Sequence, residues 1–279
     1  MKLRKVTFDE YKRIVLDIFR RIDAICRKEN IEYCLFYGAL IGAVRHGGFI
    51  PWDDDIDLLM VRTEYDRLRD YIVTHPEYNL NFIDISTNPK TIYPFAKVCD
   101  VRTVDSDRDF IDVEGYGAFV DIFPYDYLPE DKKEREKLMR RGKRLNRLTS
   151  ISARKMPAAR NISLKKRIRG FAAFGISQIL RPSSFVKKID ALGRKSNETR
   201  TRLIGTVRNP KNVFPVDWIF PSGKVMFEGY EFSCPRDIDR CLTKRYGDYM
   251  TLPPESERKS HAITCWIKDG YEDLLTGLS

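Results

Sequence analysis

The 279-residue sequence lacks long apolar runs and has only three histidines. No stretch approaches the roughly 20 apolar residues that a membrane-spanning helix needs. The N-terminus, MKLRKVTFDEYKR, lacks the apolar core of a secretory signal peptide. These absences argue against an integral membrane protein and against a secreted one. We therefore expect a cytoplasmic protein that is soluble or peripheral on the inner face of the membrane.

The six cysteines are scattered, and no two form a C-x-x-C pair. This spacing argues against a zinc site and provides no disulfide framework. We expect free thiols in a reducing compartment. The sequence also contains no internal repeat and no low-complexity segment.

Positive charge is concentrated in one segment. Residues 131–202 contain 23 Lys or Arg and 5 Asp or Glu, a net charge of +18, whereas the whole chain carries +10 and the remainder −8. The segment predicts basic helices, interrupted at Met156-Pro157, that lead into an apolar stretch between Ile168 and Leu180.

Three interpretations of this segment stay open. The first is a helical subdomain with a solvated basic face. The second is a helix at an anionic membrane surface, with four apolar side chains among the headgroups: Phe171, Phe174, Ile176 and Ile179. The third is a nucleic-acid surface, which is the least favoured because no recognised nucleic-acid motif accompanies the charge.

Apolar periodicity predicts an α+β fold, with a small mixed sheet flanked by helices and a basic helical insertion. Thr7–Glu29 has one apolar stripe, and Thr7 and Glu10 have capping-box spacing. The predicted strands are Ile31–Tyr37, Ile56–Val61, Leu80–Ile85, Phe95–Arg102 and Phe119–Phe123. We divide the chain into a core (1–130), the basic insertion (131–204) and a C-terminal part that packs back on the core (205–279).

Other segments have clear local signals. The predicted helices are Ala39–His46, Thr63–Tyr71 with Thr63 as N-cap, Asp131–Ser150, and Pro235–Tyr246 ended by Gly247. Val225–Ser233 predicts a hairpin with Gly229 in its turn. Gly205–Val213 predicts a loop, because Asn209-Pro210 breaks regular structure.

The stretch YGALIGAVRHGGFIPWDDDIDLLM, residues 37–60, carries the chemistry. Residues two apart on a strand share a face, so Asp55 and Asp57 are predicted to point the same way. Paired carboxylates on a strand suit Mg²⁺, which keeps waters and binds phosphate oxygens. Gly38 and Ala39, at a helix start, offer backbone N–H groups to an anion. The stretch predicts metal-assisted phosphoryl or nucleotidyl transfer.

Two charged residues lie inside predicted strands. Lys97 either lays its stem along apolar surface with its ammonium in water or meets an anion in a cleft. Asp121, in FVDIF, is either a paired structural acid or a third metal ligand. The residue types alone leave both alternatives open.

The same stretch resembles the signature of the LicD proteins, relatives of fukutin in the nucleotidyltransferase superfamily. GAFVDIFPYD (117–126), FEGYEFSCP (227–235) and YGDYMTLPP (246–254), followed by His261, resemble further blocks of that family. The chain departs from the superfamily at Ala39, where Ser or Thr is usual. It also has a longer spacing between Gly38 and Asp55, which the LicD pattern shares.

The resemblance implies a nucleotidyltransferase-like fold and a set of site residues. Asp55, Asp57 and Asp121 would be catalytic and would bind Mg²⁺ or Mn²⁺. The implied phosphate or nucleotide contacts are Gly38, Ala39, Arg45 and Lys97. The implied substrate contacts are His46, Trp52, Asp53 and His261.

The resemblance also implies transfer of a phospho-alcohol, most simply phosphocholine from CDP-choline, to a sugar hydroxyl of a cell-surface glycan or its lipid-linked precursor, with release of CMP. The alternatives are nucleotidyl transfer to another acceptor and a non-catalytic scaffold that binds glycan or membrane. Choline would need an aromatic cage. The candidates for it are Trp52, Tyr93, Tyr116, Tyr125 and Trp218.

Overall fold

The computed structural model describes residues 3–105, 115–153, 181–258, 260 and 264–276. Its helices are α1 (Phe8–Glu29), α2 (Tyr37–His46), α3 (Arg62–Thr74), α4 (Lys132–Ser152), α5 (Pro182–Ser196), α6 (Val216–Ile219) and α7 (Ile238–Tyr246). None of the helices in these ranges combines the length and the apolar character needed to span a bilayer. All six cysteines are buried and unpaired, so the prediction of free thiols is confirmed.

The strands form one mixed sheet and two smaller antiparallel units. They are β1 (Arg4–Lys5), β2 (Cys34–Phe36), β3 (Asp57–Val61), β4 (Leu80–Ile83), β5 (Ala96–Asp100), β6 (Thr103–Asp105), β7 (Phe119–Tyr127), β8 (Leu203–Gly205), β9 (Val213–Pro215), β10 (Gly223–Phe227), β11 (Tyr230–Cys234) and β12 (Cys265–Ile267). The main sheet has the order β2-β3-β7-β5-β4, with β8 and β9 added beside the end of β7. Among the described strands of this sheet, only β3 and β7 run parallel. The predicted α+β class with helices flanking a small mixed sheet is confirmed.

Helix α1 covers one face of the main sheet. Thr7 Oγ1 accepts from the Glu10 N–H at 3.3 Å, and the Glu10 carboxylate accepts from the Thr7 N–H at 2.8 Å, so the capping box forms as predicted. Asn30 ends the helix in the left-handed region, with φ 51°. The apolar stripe is fully buried and packs with Ile56, Leu58 and Met60.

The C-terminal part packs on both sides of the sheet. The β10–β11 hairpin turns at Glu228-Gly229, both at positive φ, as predicted for Gly229. Phe232 of this hairpin stacks on Phe19 of α1, with ring centres 3.9 Å apart. On the opposite face, α6 and α7 bury Ile219, Cys241 and Leu242 against Leu59 and Tyr125 of the sheet.

Three predicted boundaries are wrong. Thr63 is not an N-cap, because β3 runs directly into α3 and Val61 occupies that position without a side-chain cap. Pro235 does not start α7; the helix begins three residues later, where the Asp237 carboxylate accepts from the Arg240 N–H. Strand β7 continues past Phe123 and Pro124, because beyond β5 it finds a new partner in β8.

The other boundaries differ less. The first strand is shorter than Ile31–Tyr37, since α2 already begins at Tyr37. The predicted loop over 205–213 contains a short 3-10 helix, Pro210–Asn212, between β8 and β9. Helix α7 ends at Gly247, with φ 75°, as predicted.

Two helices of the basic segment are described, and they pack against the core. Helix α5 is tied to α3 by ion pairs from Asp190 to Arg62 and from Arg194 to Asp66. The apolar stretch between Ile168 and Leu180, with the four side chains predicted at a membrane surface, lies outside the described residues.

Candidate active site

Strand register brings three predicted site residues into one row across the sheet. Asp57 on β3 lies opposite Asp121 on β7, and Asp121 lies opposite Lys97 on β5. Residues directly opposite each other project from the same face, with Cβ atoms about 5 Å apart. Residues that are 64 and 24 positions apart in the sequence are thereby neighbours on the face opposite α1.

The segment before β3 adds more acids to this face. Asp54, Ile56 and Leu58 are at most 1% exposed, whereas Asp53, Asp55 and Asp57 are half-buried. This alternation agrees with the prediction that Asp55 and Asp57 share a face. Additional carboxylates therefore lie beside Asp57, at one end of the row that it forms with Asp121 and Lys97.

The surroundings of Asp57 determine its pKa. Burial, followed by the carboxylates of Asp55, Asp121 and Asp53, raises the pKa of Asp57 well above its ordinary value, and Lys97 only partly opposes this. In the described part of the chain, no three acidic, histidine or cysteine side chains are already gathered as closely as a bound metal requires. A cation here would have to share carboxylates with another oxygen source.

Lys97 meets an anion, as one of its two predicted alternatives has it, and this anion is the carboxylate of Asp121. Its Nζ donates to Asp121 Oδ1 at 2.7 Å, and the two side chains are only 6% and 10% exposed. The ammonium also lies 3.4 Å from the ring centre of Phe119 and 4.8 Å from that of Tyr93. Lys97 is thus a buried, paired cation rather than one that extends into water.

The N-terminus of α2 borders the acids. A Cβ on Gly38 would lie 3.0 Å from Asp53 Oδ2, so the first turn of the helix approaches this carboxylate closely. The helix has no side-chain N-cap, and Ala39 is buried. The Tyr37 hydroxyl anchors the helix start, with the Tyr125 hydroxyl at 2.8 Å and Asn212 Nδ2 at 2.7 Å. Gly38 therefore lies beside one of the acids, Asp53.

Arg45, His46 and Trp52 group at the other end of α2. Arg45 lies seven positions after Gly38, about 10 Å further along the helix axis. Arg45 Nη1 donates to the backbone oxygens of Tyr249 at 2.8 Å and Thr251 at 3.4 Å. The His46 and Trp52 rings meet edge to face at 6.4 Å. In this structure Arg45 therefore holds the loop that follows α7. His261 lies outside the described residues.

Comparison with known proteins identifies the family. Residues 30–144 match the model of the LicD/FKTN/FKRP nucleotidyltransferase domain. The chain is 33% identical over 271 residues to the lipopolysaccharide cholinephosphotransferase LicD of Haemophilus influenzae, covering 94% of this chain and 98% of that protein. The chain belongs to the LicD family.

Two shorter similarities lie in rickettsial proteins whose functions are uncharacterised. The chain is 36% identical over 58 residues to one from Rickettsia typhi, which covers 20% of this chain and 19% of that protein. It is 58% identical over 31 residues to one from Rickettsia prowazekii, covering 11% and 12% respectively. The end-to-end similarity to the Haemophilus LicD is therefore the more informative one.

The LicD-family domain match contains the acid row and α2, but two arginines near the site lie beyond it. The guanidinium of Arg245 on α7 is 5.6 Å from the ring centre of Tyr37, and that of Arg208 is 5.9 Å from the ring centre of Phe95. Sequence reasoning missed both. Arg245 directly precedes the LicD-like block YGDYMTLPP, which was a usable signal. Arg208 had none, because its loop approaches the site only in the folded chain.

Proposed function

We propose that this LicD-family protein transfers phosphocholine from CDP-choline to a sugar hydroxyl of lipopolysaccharide or of its lipid-linked precursor. The observation that carries the proposal is the near full-length similarity to a lipopolysaccharide cholinephosphotransferase. The row of Asp57, Asp121 and Lys97 beside the start of α2 supports it, because it combines carboxylates with a phosphate-binding helix end.

We propose that Asp55, Asp57 and Asp121 hold one or two Mg²⁺ or Mn²⁺ ions. The donor set fits, because several carboxylates lie near a single ammonium, that of Lys97, and burial together with the neighbouring carboxylates raises the pKa of Asp57. Mg²⁺ commonly takes one or two carboxylates and completes its shell with water and phosphate oxygens, which suits acids that do not form a closed cage. When bound, the cation would neutralise charge that develops on the diphosphate.

In the proposed reaction the acceptor oxygen bonds to the phosphorus of the phosphocholine group. The bond from that phosphorus to the bridging oxygen breaks, and the electron pair leaves with CMP. Asp121 would accept the proton of the acceptor hydroxyl. Lys97 fixes the orientation of this carboxylate through the 2.7 Å hydrogen bond. The N–H groups of Gly38 and Ala39 would orient a phosphate, and the missing Ser or Thr hydroxyl at position 39 leaves those backbone donors in place.

The surroundings of the five aromatic candidates favour a choline site near Tyr93. Tyr125 is fully buried and its hydroxyl contacts Tyr37. Trp218 and Trp52 already face guanidinium groups, those of Arg240 and Arg258. Tyr93 also faces a cation, the ammonium of Lys97, but this ammonium is paired with Asp121 of the acid row. Tyr116 contacts Phe119. A quaternary ammonium would find π faces and a carboxylate there.

We further propose that the basic segment, residues 131–202, faces the anionic membrane surface in which a lipid-linked acceptor is held. Helix α4 carries exposed basic side chains along its solvent side, including Lys133, Lys137, Arg141 and Arg144. Each basic residue near an anionic surface contributes about 1 kcal/mol of attraction. The purified protein should sediment with anionic vesicles and not with neutral ones. Equal recovery in both supernatants would contradict this part of the proposal.

The deciding experiment is CMP release from a panel of CDP-alcohols with Mg²⁺ or Mn²⁺, in the presence of a lipopolysaccharide extract. CDP-choline should release CMP, label should appear in the glycan, and EDTA or Asp57→Asn should abolish both. Transfer of the nucleotide itself to the acceptor would favour nucleotidyl transfer instead. A folded protein that turns over neither CDP-alcohols nor nucleoside triphosphates would favour the scaffold.

A further inference from the structure

Arg208 and Arg245 differ in their ion pairing from other partly buried arginines. Arg62, Arg102 and Arg194 each bind at least one aspartate. Among the described residues, Arg208 and Arg245 form no ion pair within 4 Å. Both come from outside the LicD-domain match and reach the sheet face that carries the acid row.

The hydrogen bonding of both guanidinium groups is incomplete. Within the described ranges, Arg245 Nε is buried without a hydrogen-bond partner, although its guanidinium lies over Tyr37 and Tyr246. Arg208 Nη1 donates a long hydrogen bond to Asn146 Oδ1 at 3.4 Å. Burial lowers the pKa of Arg208, although its side chain remains half-exposed. A buried charged donor without an acceptor is costly, so an anionic ligand that accepts from Arg245 Nε would stabilise this site.

The two groups flank the start of α2. Burial raises the pKa of the Tyr37 hydroxyl to about 12, while Arg208 and Arg245 lower it and Asp57 raises it. One hydroxyl therefore senses both guanidinium groups and a carboxylate of the acid row. The same carboxylate acts on Tyr246, the neighbour of Arg245, after burial has raised the pKa of that phenol. Both arginines and Asp57 thus act on the first residue of α2.

The two cations predicted for phosphate binding are already engaged. Arg45 holds the backbone oxygens of Tyr249 and Thr251, and Lys97 holds Asp121. A diphosphate at the start of α2 would need other donors. Guanidinium groups match phosphate oxygens with paired, charge-assisted hydrogen bonds.

We propose that Arg208 and Arg245 form a diphosphate subsite for the donor at the start of α2. The identity of the donor as a CDP-alcohol rests on the proposed function; the subsite itself requires only two linked phosphates. During transfer the arginines stabilise the charge that the leaving CMP phosphate acquires. After transfer they hold CMP until it dissociates.

The test is binding of inorganic pyrophosphate, measured by isothermal titration calorimetry in EDTA so that no metal contributes. Arg208→Gln and Arg245→Gln should each weaken binding about tenfold, as expected for the loss of a charge-assisted hydrogen bond. Arg245→Lys should recover part of the loss and keeps the packing of the stem. Arg240→Gln is the matched control, because Arg240 lies on the same helix as Arg245 but pairs with Asp237 at 3.4 Å. This variant should bind pyrophosphate as tightly as wild type does.

The outcomes separate this subsite from the proposed function. Pyrophosphate affinity that is equal in wild type and both Gln variants, or no binding by folded wild type, overturns the subsite even if CMP release is observed. Arginine-dependent binding without turnover of any CDP-alcohol leaves the subsite standing and rejects the proposed function. If a Gln variant melts early, Arg208→Lys and Arg245→Lys replace the Gln variants. Each should bind pyrophosphate more weakly than wild type does, because Lys lacks the paired donors of a guanidinium, and an affinity equal to that of wild type in both overturns the subsite.

Discussion

Strand β7 carries two aspartates, Asp121 and Asp126, whose surroundings differ in one respect. Asp126 accepts from Arg62 Nε and Nη2, both at 2.9 Å, and also from Asn197. Asp121 accepts from Lys97, but the carboxylates of Asp53, Asp55 and Asp57 lie on the same face. Both aspartates are buried. The difference is the balance of charge around each one.

The network around Asp126 alternates acidic and basic side chains. Arg62 also binds Asp190, and Arg194 binds both Asp190 and Asp66. Burial would raise the pKa of Asp66, yet Arg194 holds it below its ordinary value. Asp57 shows the opposite shift, because burial raises its pKa and the neighbouring carboxylates raise it further. A neutralised cluster joins elements of the fold, whereas an unbalanced one is suited to a cationic ligand.

The largest expected effect is a contrast between the two clusters: a substitution at Asp57 should remove activity, and one at Asp126 should lower stability. Asp57→Asn should lower the rate of CMP release about 100- to 1000-fold, since it removes a carboxylate proposed to hold the cation that neutralises charge on the diphosphate. The variant should retain the circular dichroism spectrum of wild type. Activity within tenfold of wild type would remove Asp57 from the site and with it the functional half of the comparison.

Asp126→Ala should have the reverse result. Removing one partner of a buried ion pair leaves Arg62 without its main counter-charge and should cost about 3–5 kcal/mol of the free energy of unfolding. Urea titration followed by circular dichroism measures this loss. Turnover per folded molecule should change little. A loss below about 1 kcal/mol would mean that Asp190 alone satisfies Arg62.

The pH dependence of stability should differ in sign between Asp57 and Asp66. A raised pKa means that the folded state binds a proton more tightly, so Asp57 lowers stability as the pH rises from about 4 through its folded pKa. Asp57→Asn should therefore stabilise the metal-free protein near neutral pH, by about 1.4 kcal/mol for every tenfold difference in proton affinity between the folded and unfolded states. Asp66, with a lowered pKa, contributes stability above about pH 4 that is lost as the pH falls through its folded pKa.

Chemical denaturation of both Asn variants between pH 4 and pH 8, in EDTA, measures these slopes. The stability difference from wild type should grow with pH in opposite directions for Asp57→Asn and Asp66→Asn. Parallel curves would show that the two clusters do not differ in charge balance.

The two clusters could not be predicted equally well from the sequence. Asp55 and Asp57 were predicted to share a face because that depends only on the two-residue period of a strand. The hairpin at Gly229 and the cap at Thr7 were equally local. Asp121 was singled out by its place in an apolar strand, but the residue type left its partner open.

Long-range pairing was beyond the sequence. Lys97 meets Asp121 only because β5 and β7 pair in one particular register. Arg62 lies between a predicted strand and a predicted helix, and its contact with Asp126 spans 64 positions. Arg208 and Arg245 reach Phe95 and Tyr37 through packing of the C-terminal part. Each of these contacts depends on tertiary geometry that no local pattern records.

The smallest effect concerns the aromatic side of the Lys97–Asp121 pair, where Tyr93, Phe95 and Phe119 face the ammonium. Tyr93→Leu should reduce the preference for CDP-choline over CDP-ethanolamine by about two- to fivefold, because an exposed cation–π contact contributes about 0.5–1 kcal/mol. The ratio of the two kcat/KM values measures this preference. Trp218→Leu is the control, since Trp218 faces Arg240 and Lys244. Equal losses with both donors in Tyr93→Leu would mean that Tyr93 only positions Lys97, and the unbalanced cluster would then owe its specificity to another wall of the site.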